Sequence, residues 1–141
     1  MNRVFFTDRD LGTRFPEILA AAGLLVQRHR DNFPPDCPDE EWLRAVGEKG
    51  WVAITHESRI RYKPNELAAV IRHNVSLLVV IGKAPFPVLA SNFVATEPKI
   101  AEVLRQQAPP MIAKVYRPSP AELDRDPMTP GSVAVWYPPR K

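Results

Sequence analysis

Apolar residues fall along this chain in short runs separated by longer stretches of helical periodicity. Val4, Phe5 and Phe6 within Arg3–Thr7 form the first such run, of the kind that makes a buried strand. Phe15–Ala22 is rich in Ala and Leu and stops at Gly23, which predicts a helix ended by glycine. Leu24–His29 reads as a second strand, followed by a loop containing Asn32, Pro34 and Pro35. A helix is predicted to open at Asp36, with Asp36 as N-cap, Pro38 in the first turn and Asp39, Glu40 and Glu41 complementing the dipole. It closes near Gly47–Gly50. Trp51–Thr55 is the third strand, Asn65–His73 a helix, and Ser76–Ile81 a fourth strand that is apolar on both faces. Val88–Gln107 reads as mainly helical, and Met111–Tyr116 and Ser132–Tyr137 as two late strands.

Strands alternating with helices predict an α/β fold, a three-layer α/β/α arrangement around a mainly parallel sheet of four to five strands. The 16 prolines in 141 residues are unevenly placed. Pro109, Pro110, Pro118, Pro120, Pro127, Pro130, Pro138 and Pro139 crowd the last third. Residues 1–82 therefore read as a compact core. Residues 83–141 read as a helix and a proline-punctuated C-terminal extension packing on the same domain.

In a parallel sheet, ligands bind beyond the carboxyl ends of the strands. That makes the position of the acids informative. Asp8 and Asp10 directly follow the first strand, and Glu57 follows the third in "WVAITHES". Asp39 shares a helical face with Trp42, Leu43 and Val46, so it leans towards the sheet. Asp8, Asp39 and Glu57 can thus converge on one edge. Carboxylates brought together without histidine suit a hard cation, Mg²⁺ or Mn²⁺, which can activate a water and stabilise a transferring phosphoryl group.

The segments "FFTDRDLGTRFPEILAAAG", "PDEEWLRAVGEKGWVAITHESRI", "KPNELAAVIRHN" and "SLLVVIG" resemble the PIN-like toxin nucleases of the VapC type. In that branch a strand-ending Asp, a helix-starting Asp-Glu-x-Trp and a "T-x-D" strand end recur in order. The resemblance spans residues 3–82. It implies a PIN-like fold and Mg²⁺- or Mn²⁺-dependent cleavage of RNA, usually as the toxin of a toxin–antitoxin pair. The partners it implies are RNA and a cognate antitoxin protein, and it is compatible with a homodimer. By position, Asp8, Asp39 and Glu57 match the three catalytic, metal-holding acids, with Thr55, Asp10 and Glu41 as auxiliary residues. The departure is Glu57, where the family usually has aspartate. Glutamate reaches one methylene further and still offers two oxygens.

Charge adds a further feature. The net charge of +3 permits a nucleic-acid partner. Arg59, Arg61 and Lys63 after the third strand, and Arg28 and Arg30 after the second, could hold phosphates beside the metal. His56 points away from Thr55 by strand alternation, so a structural role is expected for it. Trp42 and Trp51 fit the core, and Trp136-Tyr137 a packed late strand. One cysteine, Cys37, excludes an internal disulfide, and with no apolar run near 18–20 residues and no apolar leader at the N-terminus the expected location is the cytoplasm, away from membranes. Two other functions stay open. One is a PIN-like module that binds or regulates without catalysis. The other is a phosphatase of the haloacid-dehalogenase type, suggested by "DRDLGT", with Asp8 as nucleophile and Asp10 as acid/base. That chemistry needs a late acidic pair, for which only Asp124 and Asp126 offer themselves.

Overall fold

The computed structural model describes residues 3–56 and 63–139. Glu57, Arg59 and Arg61 lie outside the described residues. The chain begins with β1 (Val4–Thr7), a 3₁₀ turn (Arg9–Leu11), α1 (Arg14–Ala21), β2 (Leu25–Arg28), α2 (His29–Asn32) and α3 (Asp39–Lys49). It continues with β3 (Val52–His56), α4 (Pro64–Arg72), β4 (Ser76–Val80), α5 (Phe86–Gln106), β5 (Met111–Tyr116), α6 (Pro120–Arg125) and β6 (Ser132–Tyr137). The strands form one sheet in the order β2-β1-β3-β4-β5-β6. Every neighbouring pair is parallel except β5 and β6. The sheet is mainly parallel, as the pattern predicts. It has six strands rather than four to five, because both late strands join it.

Period-two alternation divides the sheet residues between two cores. Phe5, Ile54, Leu78 and Ala113 face one side, where Phe15 and Leu19 of α1 and Leu89 and Phe93 of α5 cover them. Phe6, Ala53, Leu77, Val79 and Ile112 face the other, under Trp42, Leu43 and Val46 of α3 and Ala69 and Val70 of α4. The three-layer arrangement follows directly, since strands apolar on both faces need helices on both.

Several boundaries shift by a residue or more from the sequence reading, and the short helices α2 and α6 are added. β2 ends at Arg28, and His29 opens the short α2 instead of closing the strand. α3 starts at Asp39 with Pro38 as its cap residue rather than at Asp36, because Pro38 is extended (φ −59°, ψ 144°) and Cys37 N–H closes a turn on Pro34 O (3.1 Å). α5 starts at Phe86, with proline in its first turn, and runs through Pro98. That residue is exposed, where a missing N–H is least harmful. α6 appears within the proline-rich stretch, started by a capping box between Ser119 and Glu122.

α3 and the end of α4 approach closely at Gly47. A Cβ there would stand 2.0 Å from the carbonyl oxygen of His73. Gly47→Ala is expected to cost about 3 kcal/mol through forced separation of the two helices, measured as a lowered midpoint in urea unfolding. An unchanged midpoint would show that the helices can part freely.

Candidate active site

The strand order reverses at β1, which lies between β2 and β3. The carboxyl ends of β1 and β3 therefore flank the crevice where such sheets take ligands. Asp8 leaves β1 there, and its N–H donates to Ile54 O (2.9 Å), which ties the two strand ends together. Asp8 Oδ1 accepts from the Arg9 amide (2.7 Å), capping the 3₁₀ turn. Asp8 Oδ2 stands 3.1 Å from Thr55 Oγ1, and the same hydroxyl is 2.8 Å from Asp10 Oδ2. Asp10 also accepts from the His56 amide at 3.2 Å. A threonine hydroxyl has one proton. It can donate to one of these carboxylates, which leaves the other oxygen contact unrelieved unless a cation or a further proton is supplied.

The opposite wall comes from the first turns of α3 and α4. Trp42 Nε1, on a ring stacked against Phe6, donates to Asp39 Oδ1 (2.9 Å) and turns that carboxylate towards the sheet. Glu66 lies close to Asp39, and each carboxyl bears on the other's protonation. Lys63 Nζ is 3.4 Å from Glu66 Oε1. Asp8, Asp10, Asp39, Glu66, Thr55 and Lys63 line one cavity of about 220 Å³, with Trp42 and Arg9 at its sides.

Burial and mutual repulsion mark these acids. Burial raises Asp8, against the pull of the Arg9 amide and the Thr55 hydroxyl. Although Asp10 is exposed as a residue, its carboxylate turns inward, and desolvation with the Asp8 charge raises it to about 6. Glu66 is raised to about 7 by burial, then by its bond to Asp39 and that residue's charge. For Asp39, burial pushes upward, but the bonds from Glu66 and Trp42 and the Lys63 charge outweigh it and hold the group low. These are two acid pairs, each short of positive charge. Among the described residues no three His, Cys, Asp or Glu side chains stand together at metal-ligand spacing. An all-oxygen set of this kind nevertheless fits Mg²⁺ or Mn²⁺, which keep several waters and take one or two carboxylates directly.

A family model described as a PIN-like domain matches residues 3–82, more than half of the chain. The chain belongs to the PIN-like domain family. Its fold is therefore of the nuclease type, and PIN domains generally work with divalent metals. No curated protein and no solved structure matches the chain.

The PIN-like core brings together Asp8, Asp39, Asp10 and Thr55 of the predicted site. It does not bring in Glu41, an exposed residue whose Oε2 lies 3.6 Å from Cys37 Sγ. Lys63 lines the acidic cavity, while Arg28 and Arg30 line a neighbouring one. Asp124 and Asp126 line neither, and Asp126 accepts from the Met128 amide (2.9 Å) in a local turn. His56 is structural in its contacts, with Nε2 3.0 Å from Gly82 O and its ring edge-on to Phe86. Glu66 is the acid that the sequence reading missed. Its signal was present, because a helix following a parallel strand starts at that strand's carboxyl end. Lys63-Pro64-Asn65-Glu66 puts proline at the start of α4 and an acid in its first turn.

These shifts set a pH dependence of stability. Asp10 and Glu66 hold protons in the folded protein that the unfolded chain has already released, between 3.8 and about 6 and between 4.5 and about 7 respectively. Fewer protons are bound on unfolding, so metal-free stability falls as pH rises through that window. Thermal midpoints in EDTA are expected to drop from pH 5 to pH 7.5, and Glu66→Gln is expected to flatten the slope. A midpoint rising over the same range would contradict the placement of these acids.

Among the described residues no helix is long and apolar enough to cross a membrane.

Proposed function

We propose that the protein is a metal-dependent endoribonuclease, the toxin of a toxin–antitoxin pair, that hydrolyses RNA phosphodiesters with Mg²⁺ or Mn²⁺. The observation that carries this reading is the gathering of acids: Asp8 and Asp10 both meet the Thr55 hydroxyl, and Asp39 and Glu66 line the same cavity. Four carboxyls around one small cavity repel each other, and a divalent cation is the simplest relief.

Asp8 and Asp10 would hold the ion, with Asp39 on the opposite wall orienting its waters. When bound, the ion supplies charge stabilisation for the phosphoryl group and acidifies the attacking water. Glu66, raised to about 7, is suited to take the proton from that water, since a base works best near the operating pH. One P–O bond then forms to the water oxygen as one breaks to the ribose oxygen, and the leaving alkoxide takes a proton from solvent water. Lys63, at the mouth of α4, would neutralise a phosphate oxygen. Asp39, held low by the Glu66 carboxyl and then by Trp42 and Lys63, would keep negative charge on the opposite wall. The proposed antitoxin would inhibit by covering this edge of the sheet.

The test is incubation of a mixed RNA pool with the purified protein and Mg²⁺ or Mn²⁺. Cleavage that EDTA abolishes and fresh metal restores is the expected result. Binding of metal and RNA without any cleavage would favour the non-catalytic module instead.

A further inference from the structure

Asp10 sits on the 3₁₀ turn Arg9–Leu11, which Gly12 caps. So short a turn has little rigidity of its own. The direction of the Asp10 carboxylate is therefore set by what packs around the turn. We propose that His56 and Phe86 are positioning residues for Asp10, and that together they clamp its turn onto the end of β3. The assignment rests on the metal-site reading and deepens it, by naming what fixes one ligand of the ion.

The contacts close into a ring. Asp10 accepts from the His56 amide at 3.2 Å. The His56 imidazole reaches Gly82 O at 3.0 Å through Nε2. A carbonyl oxygen only accepts, so Nε2 carries the proton. The same imidazole stands edge-on to the Phe86 ring, with centroids 5.7 Å apart and planes at 85°. The Phe86 ring in turn lies against Gly12, where a Cβ would stand 3.2 Å from Cδ2 and 3.4 Å from Cε2. Gly12 N–H donates to Arg9 O (3.1 Å) and closes the turn that carries Asp10. Glycine at this position meets two demands at once, a left-handed backbone (φ 70°) and the close approach of the ring.

The parts of the clamp differ in stiffness. Phe86 is the first residue of α5, whose 21 residues are anchored in the core by Leu89, Phe93 and Ile100. His56 ends β3, a strand paired on both sides. The turn is the softer partner, and its own anchor is Leu11, fully buried in the core that α5 covers. A carboxylate that must meet an ion has to be held to within about 0.5 Å, which rigid elements do better than loops. The family match ends at residue 82, so Phe86 supports the site from the part of the chain beyond it.

The experiment follows the full chain by two readouts. The first is hydrogen exchange at the His56 amide in EDTA, with the Leu78 amide in β4 as reference. Asp10→Ala sets the rate when the contact is absent. Phe86→Leu keeps an apolar side chain in the core and removes the ring. It is expected to exchange about tenfold faster at His56 than the unmodified protein, with Leu78 unchanged. The second readout is Mn²⁺ affinity by electron paramagnetic resonance. Phe86→Leu is expected to weaken it about tenfold, as loss of support behind a ligand does. Added to Asp10→Ala, the same substitution is expected to cost nothing further, because it acts through Asp10. His56→Gln keeps a donor for Gly82 O and is expected to bind Mn²⁺ more tightly than His56→Ala. His56 exchange that stays unchanged in Phe86→Leu, whatever happens to the thermal midpoint, overturns the proposal, as do affinity losses that add in the double variant. Faster exchange at His56 in a protein that binds no Mn²⁺ rejects the metal reading and leaves the clamp standing.

Discussion

Asp8→Asn is expected to lower kcat/KM for metal-dependent RNA cleavage by about 10³-fold or more, the equivalent of several kcal/mol of lost transition-state stabilisation. Asp8 is the residue most committed to the site. One oxygen caps the turn after β1, and the other faces Thr55. Asparagine keeps the capping oxygen, so the local backbone is retained. It removes a charge that Asp39 and Asp10 both feel, so stability in EDTA is expected to be unchanged or higher. This combination separates loss of chemistry from loss of fold. Single-turnover cleavage together with thermal unfolding measures both. Cleavage within a factor of a few of the unmodified protein would remove Asp8 from the proposed centre.

Phe6→Ala is expected to destabilise the protein by about 4 kcal/mol. The side chain is fully buried. Its ring stacks on Trp42 at 5.3 Å and Trp51 at 6.2 Å and meets Phe33 edge-on at 5.8 Å. Truncation leaves a cavity among rings that cannot all collapse into it. It also frees Trp42, whose indole N–H positions Asp39. Surviving folded protein is therefore expected to lose activity beyond its loss of population. Phe6→Leu should cost less than half as much. Urea unfolding of the two variants checks the order, and equal midpoints would show that the aromatic cluster contributes little.

Much of this architecture was legible because the strands are apolar on both faces and separated by glycine and proline. A run such as Ser76–Val80 is buried at every position and could only be a central strand. That Asp8 would stand beside the end of β3 followed from topology, since parallel strands end on one edge, whereas Thr55 entered through the family resemblance. Asp39 was readable from its helical spacing to Trp42. Glu66 escaped because an acid after Asn65 has an adequate local explanation as part of a helix start, and sequence does not say which way its carboxyl turns. The burial of His29 escaped for a similar reason. A residue at a strand end does not reveal that the backbone turns into α2 there and buries the ring against Phe6 and Phe33. In the late segment, prolines concealed α6, although Ser119 and Glu122 stand at capping-box spacing. Both late strands extend the sheet beyond the span matched by the family model, and α5 covers the same core as α1.

The central claim is that Asp8 and Asp10 after β1 and Asp39 and Glu66 in the first turns of α3 and α4 form one divalent-cation site. Titration with Mn²⁺, followed by electron paramagnetic resonance, tests it without relying on any substrate. Saturable binding that Asp8→Asn and Asp10→Asn each weaken, with Mg²⁺ competing, is the expected result. Folded protein that leaves Mn²⁺ free, or that binds it equally well in both variants, would contradict the account.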